Sequence, residues 1–180
     1  SDSLGLADYA LNGQQVVITV PPEANYETSR KFHKAAQITQ PVANTDFSLL
    51  VKFDSTLSKQ FQFQGIVIQE DMNNLIRVET SYDDSGLRFS ALSFENGVGK
   101  ARKSVNIGLA GGDIHMLVRR TGDKFQMYYR LLATDKWIGI GNFTHPIIVE
   151  KVGVFASSYG ATGTPAPATT SPMTLACSPP

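Results

Sequence analysis

Residues 47–53 read Phe-Ser-Leu-Leu-Val-Lys-Phe, and every odd position in this stretch is apolar. The segment 125–130, Phe-Gln-Met-Tyr-Tyr-Arg, shows the same two-residue alternation. Side chains alternate between the two faces of a β-strand, so each segment is predicted to be a strand with one face in a core and the other wet or only partly covered.

Runs rich in β-branched and aromatic residues recur along the whole chain, and no long stretch has the period of a helix. The predicted strands are 15–20, 36–41, 46–54, 61–69, 75–82, 87–94, 100–107, 114–120, 125–131, 137–143 and 147–156. Turn residues such as Asn96-Gly97 separate them, which favours antiparallel hairpins. Because so many one-sided strands cannot be buried by one flat sheet, the sequence predicts an all-β, two-sheet antiparallel β-sandwich, with a closed barrel as the alternative.

The composition excludes several classes of protein. Hydrophobic residues make up 42% of the 180 residues and charged residues 18%, which is unlike a disordered chain. Lys plus Arg and Asp plus Glu are both 16, so no net charge favours a nucleic acid partner. No window approaches the ~18 apolar residues of a membrane helix, and we expect no membrane partner. The single cysteine, Cys177, cannot form an intrachain disulfide.

The last part of the chain differs in composition from the rest. Past residue 160 it is rich in Pro, Thr, Ser and Ala, and its prolines interrupt any strand ladder. We therefore expect a β-sandwich domain over 1–160 and a C-terminal segment over 161–180. That segment has room for one edge strand around 173–176.

A family resemblance rests on several phrases of the sequence. Residues 44–77, NTDFSLLVKFDSTLSKQFQFQGIVIQEDMNNLIR, together with SFENG at 93–97, VRRTGD at 118–123, Trp137 and FTH at 143–145, resemble the concanavalin A-like jelly-roll domains. The similarity is to the laminin-G-like, "regulation of enolase" type of secreted bacterial proteins, and covers roughly residues 11 to 160. It implies a jelly-roll sandwich, an extracellular location and a generally non-catalytic role in binding glycans.

Two regions depart from the family pattern. Relatives often have a His-Asp pair upstream of Gln40, where this chain has Tyr26-Glu27, so a ligand contact made there in relatives does not transfer. The usual apolar closing strand is replaced by TPAPATTSPMTLACSPP.

The sequence predicts that the protein is not an enzyme. Glucanases of this fold use paired carboxylates, commonly as Glu-x-Asp-x-x-Glu along one strand, and that motif is absent. Adjacent Glu70 and Asp71 lie at a strand end, where neighbouring side chains point to opposite faces or into a turn.

Glycan binding needs aromatic faces and planar polar side chains on a rigid surface. The candidate ligand-binding residues at polar or aromatic positions of the predicted strands are Gln64, Arg77, Arg88, Tyr128, Arg130 and Trp137. The competing interpretation is that polar residues alternate outward on any antiparallel sheet, and that Trp137 packs in the core.

A structural calcium ion is the only cofactor considered, with Asp71 as the first candidate ligand. The alternative for Asp71 is a turn in which its carboxylate bonds its own backbone.

The sequence and the resemblance together favour a non-catalytic, secreted carbohydrate-binding or adhesion module whose partner is a polysaccharide or other glycan. The alternative is a docking β-sandwich that contacts adjacent domains of a larger enzyme or assembly and binds no ligand. A glycoside hydrolase or lyase is disfavoured by the missing carboxylates.

Overall fold

The structure is a computed structural model that describes residues 2, 4–13, 15–21, 25–26, 34–57, 59–83, 85–108, 113–158 and 173–178, with the backbone alone at 12 and 173–178. Among these residues, none lies in a helix with the length and apolar character of a membrane span.

The described part of the chain forms thirteen β-strands. They are β1 Asp8–Asn12, β2 Gln15–Val20, β3 Ala36–Pro41, β4 Phe47–Phe53, β5 Gln62–Gln69, β6 Leu75–Asp83, β7 Gly86–Glu95, β8 Val98–Asn106, β9 Ile114–Thr121, β10 Lys124–Arg130, β11 Ile138–Thr144, β12 Lys151–Ser158 and β13 Met173–Ser178.

The strands form two antiparallel sheets. The seven-stranded sheet has the order β1-β2-β13-β4-β9-β10-β11, and the six-stranded sheet has the order β3-β12-β5-β6-β7-β8. The prediction of an all-β, two-sheet antiparallel β-sandwich is confirmed.

The main core lies between the two sheets and receives alternate residues of both. Phe53, Met116 and Phe125 of the seven-stranded sheet and Ile68, Val78 and Phe89 of the six-stranded sheet are all fully buried in one cluster. Burial of each such side chain contributes about 1.5–3 kcal/mol, so the two-residue alternation read from the sequence is the main source of stability.

The hairpin between β7 and β8 shows how turn chemistry sets register. Asn96 has φ 51° and Gly97 has φ 78°, and these two residues alone separate the paired ends Glu95 and Val98. Two successive positive φ values match the right-handed twist of the flanking strands, and Asn-Gly adopts them at low cost. The hairpin predicted at this dipeptide is confirmed.

The predicted strands differ from the structure in several places. Strand β1 (Asp8–Asn12) was not expected. Residues 147–150 were predicted as the start of a strand, but β12 begins only at Lys151. In the approach to β12 the N–H of Val149 donates to the Asn44 side chain and that of Ile148 to the Glu70 side chain. At residues 148 and 149 these side-chain oxygens take the place of a neighbouring strand, whereas the Glu150 N–H still donates to the Gln69 carbonyl.

Strand β13 also lies elsewhere than the sequence suggested. It was expected as an edge strand, but it occupies the interior of the seven-stranded sheet between β2 and β4. An interior position supplies backbone partners on both sides, whereas the nearby prolines had suggested an edge. Residues 161–172 and 179–180 of the predicted C-terminal segment lie outside the described residues.

Candidate ligand-binding surfaces

The outer face of the six-stranded sheet is the face that points away from the main core. Its residues alternate with the core residues of β5, β6, β7 and β12, and many of them are buried as well. A second hydrophobic cluster lies here, consisting of Ala35, Val67, Leu75, Leu92, Phe94 and Phe155, with Phe63 packed against it. This face is therefore only partly polar.

A buried ion pair lies within this aromatic surrounding. Arg77 is 1% exposed and Glu79 is 4% exposed, and Arg77 Nε lies 3.2 Å from Glu79 Oε2. The Arg77 guanidinium lies 4.8 Å from the ring centroid of Phe94 and 5.9 Å from that of Phe155. Burial raises the pKa of the Glu79 carboxyl, and the positive charge of Arg77 opposes that rise. Among the described residues, Glu79 Oε2 accepts no hydrogen bond of good geometry.

A groove of about 320 Å³ opens beside Glu79, across β6, β7 and β8. It is lined by Glu79, Arg88, Ser90, Leu92, Ala101, Lys103 and Ser104, and we call it the sheet groove. Arg88 Nε donates to Asp83 Oδ2 at 2.9 Å, and Arg88 Nη1 donates to Ser104 Oγ at 3.3 Å. Ser90 Oγ and Ser104 Oγ are 3.0 Å apart. The groove thus combines a carboxylate, a guanidinium and two hydroxyls with an apolar patch formed by Leu92 and Ala101.

The outer face of the seven-stranded sheet holds a second polar and aromatic group. Arg119, Tyr128, Arg130 and Trp137 form what we call the arginine–aromatic shelf. The Arg119 guanidinium lies 5.6 Å from the Tyr128 ring centroid, and the Arg130 guanidinium lies 4.5 Å from the Trp137 ring. Trp137 is partly exposed and lies outside the main core, contrary to the competing interpretation of its role.

Beside the shelf lies a row of titratable groups on β4 and β9. His115 pairs with Arg130 on one side and with Lys52 on the other. The Lys52 ammonium bonds the carboxylates of Asp54 and Asp113, the latter at 2.8 Å. Burial first, and then the charges of Arg130 and Lys52, lower the pKa of His115.

A cleft of about 350 Å³ lies on β7, β8 and the turn between them, and it is lined by Ser93, Glu95, Asn96, Val98, Lys100 and Arg102. Arg102 Nε donates to Ser93 Oγ at 2.7 Å, and its guanidinium lies 5.5 Å from the Phe143 ring centroid. His145, which is 5% exposed, approaches Arg102 Nη2 through Nδ1 at 3.5 Å. Burial and the charge of Arg102 lower the pKa of His145, while Glu95 and Asp123 oppose this shift.

These histidines predict a loss of stability in mild acid. The pKa of His145 and His115 is below 6.5 in the folded protein, so the unfolded chain binds more protons as the pH falls through 6.5. The free energy of unfolding should therefore fall as the pH drops from 6.5 toward the lowered folded pKa of each histidine. Urea denaturation at about pH 8 and about pH 5.5 measures this fall.

The variant His145→Gln is the control for this effect. It keeps a polar side chain but cannot titrate, so its stability should depend less steeply on pH than that of the wild type. An unchanged pH dependence in H145Q would contradict the assignment to His145.

The structure distributes the six predicted ligand-binding residues over three places. Arg77 and Arg88 lie on the outer face of the six-stranded sheet, whereas Tyr128, Arg130 and Trp137 lie on the outer face of the other sheet. Because the core separates these faces, one small ligand cannot contact both groups.

Gln64 belongs to neither outer face, and its placement on a water-exposed face is corrected. It shares the inward parity of Ile66 and is 2% exposed. Its Nε2 donates to the Ser55 backbone carbonyl at 3.0 Å, and its Oε1 accepts from the Ser55 hydroxyl. The side chain therefore fastens the segment after β4 to the inside of the sandwich.

The Asp71 carboxylate bonds the backbone of its own turn, which is the alternative to calcium binding that the sequence left open. One carboxylate oxygen accepts the backbone N–H groups of Asn73 and Asn74 at 2.6 and 2.8 Å, and the other accepts the Asn74 side-chain amide at 2.9 Å. These hydrogen bonds lower the pKa of Asp71. Within the described residues, no group of three or more His, Cys, Asp or Glu side chains has a metal-binding arrangement.

Several groove residues were not among the sequence candidates. Ser90, Lys103 and Ser104 became visible only when the register paired Ser90 with Ser104 across β7 and β8. The sequence signal for these residues was Ser90, because a small polar residue between Phe89 and Ala91 marks the face of β7 that points away from the core.

No protein-family model matches the chain, and no curated protein matches it. Solved structures share its fold. A functionally unknown protein from Saccharomyces cerevisiae is 12% identical, with a TM-score of 0.72 over 99% of this chain and 95% of that chain. The carbohydrate-binding module CBM66 from Bacillus subtilis is 10% identical, with a TM-score of 0.55 over 96% of this chain and 88% of that module.

A glycoside hydrolase protein of family GH43 from Bacillus licheniformis is also similar. It is 15% identical with a TM-score of 0.66, and the match covers 91% of this chain but 31% of the GH43 chain. At these identities the similarity establishes the fold alone. The chain is a β-sandwich of a kind that also occurs in a carbohydrate-binding module and as part of a GH43 protein.

Proposed function

We propose that this chain is a non-catalytic carbohydrate-binding module that recognises a glycan in the sheet groove. The single observation behind the proposal is that Glu79 lines the groove while its buried Oε2 accepts no hydrogen bond of good geometry within the described structure. Buried polar atoms almost always have a partner, and a sugar hydroxyl is a donor of suitable size.

The other groove residues complement a sugar ring. Arg88 presents a planar, charged donor, and Ser90 and Ser104 present hydroxyls that both donate and accept. Leu92 and Ala101 offer an apolar surface to the C–H groups of a pyranose. Because exposed polar contacts contribute little each, we expect micromolar to millimolar affinity. The fold shared with a carbohydrate-binding module is in keeping with this proposal.

The proposal also includes a protein family and an extracellular location. We propose that the chain belongs with the concanavalin A-like, laminin-G-like jelly-roll domains of secreted proteins, because its sequence phrases resemble theirs. We accordingly propose an extracellular protein.

A glycan array followed by titration calorimetry tests the proposal. The variant Arg88→Gln should weaken binding of the recognised saccharide by about tenfold, because it removes a charge-assisted donor from the groove. Lys151→Gln is the matched control: it removes an exposed cation from the outer parity of β12, away from the groove, and should leave the affinity unchanged. If no saccharide binds while the fold is intact, the proposal fails.

A second candidate function is a docking domain without a ligand of its own. It is favoured by the GH43 protein, in which the similar region is about a third of the chain. Leu6, Tyr9 and Leu11 near the edge strand β1 are large apolar side chains that are 59%, 41% and 80% exposed, as a contact surface for an adjacent domain would be. Light scattering after size-exclusion chromatography distinguishes this candidate: self-association that Leu11→Asn abolishes would support it.

A further inference from the structure

The arginine–aromatic shelf has the organisation of a built surface. Arg119 and Tyr128 form one cation–π pair and Arg130 and Trp137 form another. Gly139 lies beside Tyr128 in the register, and a Cβ at Gly139 would lie 3.4 Å from the Tyr128 ring. The absence of a side chain at Gly139 therefore gives the Tyr128 ring room to lie against the backbone of β11, next to Trp137.

No carboxylate of the described residues neutralises the charges of the shelf. Within the described residues, the carboxylates that form ion pairs serve Lys52, Arg77 and Arg88, and neither Arg119 nor Arg130 has a carboxylate within 4.0 Å. Two uncompensated guanidinium groups on one face attract an anion, although the whole chain has zero net charge.

Within the described part of the chain, two buried nitrogen atoms lack hydrogen-bond partners, one on His115 beside the shelf and one on Arg130 of the shelf itself. His115 is 4% exposed, and its Nδ1 has no partner among the described residues. The Nε of Arg130, which pairs with His115 across β9 and β10, is also buried without a partner. Because buried polar atoms are normally satisfied, these two nitrogens indicate that something else bonds them.

We propose that the arginine–aromatic shelf, with His115, binds an acidic saccharide, one whose sugar rings carry a carboxylate. The carboxylate contacts the Arg130 guanidinium and the His115 ring, and the C–H face of the sugar contacts the Trp137 ring. The partly exposed Trp137 ring favours a saccharide over an acidic peptide. Two cations without a basic stripe are too few for a nucleic acid backbone. This surface is on the opposite side of the sandwich from the sheet groove and does not depend on it.

Trp137 is the only tryptophan of the chain, so its fluorescence reports on the shelf alone. Titration with tetragalacturonate, and separately with tetramannuronate, should change the Trp137 emission in a saturable manner for at least one of them. The methyl ester of that saccharide should bind at least about tenfold more weakly, because it has lost its negative charge. Added salt should weaken the acidic ligand more than the ester.

Arg130→Gln should weaken binding of the acidic saccharide by about tenfold or more. Lys124→Gln is the matched control, since Lys124 is an exposed cation with the same parity at the other end of β10, and it should change affinity less than about twofold. Arg88→Gln in the sheet groove should leave this binding unchanged, so failure of the groove and failure of the shelf are separable.

The proposal is overturned if neither uronate changes the Trp137 emission at millimolar concentration, or if the ester binds as well as the acid. It is also overturned if R130Q and K124Q behave alike while both remain folded. Saturable binding of a polyaspartate peptide or an oligonucleotide, without binding of either uronate, would assign the shelf to another class of partner.

Discussion

Replacing Gly153 by alanine should lower the free energy of unfolding by about 3 kcal/mol or more, the range of a severe overpacking change. A Cβ at this position would lie 2.0 Å from the Ile38 carbonyl oxygen and 2.7 Å from the Thr39 Cα. Both atoms belong to the backbone of the paired strand β3, so no side-chain rotation relieves the contact. Gly65 is in a similar position, since its Cβ would lie 2.3 Å from the Val78 carbonyl oxygen of β6.

Gly139→Ala is the control, because its Cβ would meet only the Tyr128 ring, at 3.4 Å. We expect it to change stability by less than about 1 kcal/mol, which includes the reduced freedom of the unfolded chain. Urea unfolding followed by circular dichroism measures the stability of both variants. Equal stability of G153A and G139A would show that β3 and β12 are not as closely paired as the structure has them.

The two-residue alternation predicted most of the strands, but it carries no information about which backbone segments pair. The strand predictions over 15–20 and 36–41 agree with β2 and β3 at both ends. The strand prediction over 147–150 was wrong because apolar alternation indicates which side chains are buried, not whether the backbone pairs with another strand. There the buried Val149 side chain coexists with a backbone N–H bonded to the Asn44 side chain instead of to a strand.

The candidate sites were predicted less well, because parity assigns a face of one strand but not the sheet to which that strand belongs. Arg77 and Arg130 both have outward parity, yet they lie on opposite sides of the sandwich. Gln64 was listed among the ligand-binding candidates, but its side chain has inward parity, opposite to that of its neighbour Phe63. Phe63 packs in the second cluster, on the outer face.

A clue to that second cluster was present in β5. Ile66, Val67 and Ile68 are apolar at consecutive positions, a pattern typical of a strand that is buried on both faces. All three are fully buried. Because both faces of this sheet are buried, the charges of Arg77 and Glu79 are removed from water, and their pairing strongly affects the free energy of unfolding.

Replacing Arg77 by methionine should destabilise the protein by about 3–5 kcal/mol, the usual consequence of leaving a buried charge without its partner. Methionine preserves much of the packing against Phe94 and Phe155, so the loss reports mainly on Glu79. Removal of both charges in the double variant Arg77→Met with Glu79→Met should recover most of the stability, because two apolar side chains leave no buried ion. Chemical denaturation of the two single variants and the double variant gives the coupling energy.

The pH dependence of R77M follows from the same pair. Burial raises the pKa of Glu79 above 4.5, and Arg77 is the charge that opposes this rise. Without Arg77 the folded state holds the Glu79 proton more tightly than the unfolded chain does. The stability of R77M should therefore be greatest below about pH 4.5 and fall as the pH rises through the raised pKa. If R77M loses less than about 1 kcal/mol at neutral pH, Arg77 does not stabilise the ionised carboxylate. Glu79 would then be a neutral acid that donates a hydrogen bond in the sheet groove. The glycan group that bonds it would have to be a hydrogen-bond acceptor.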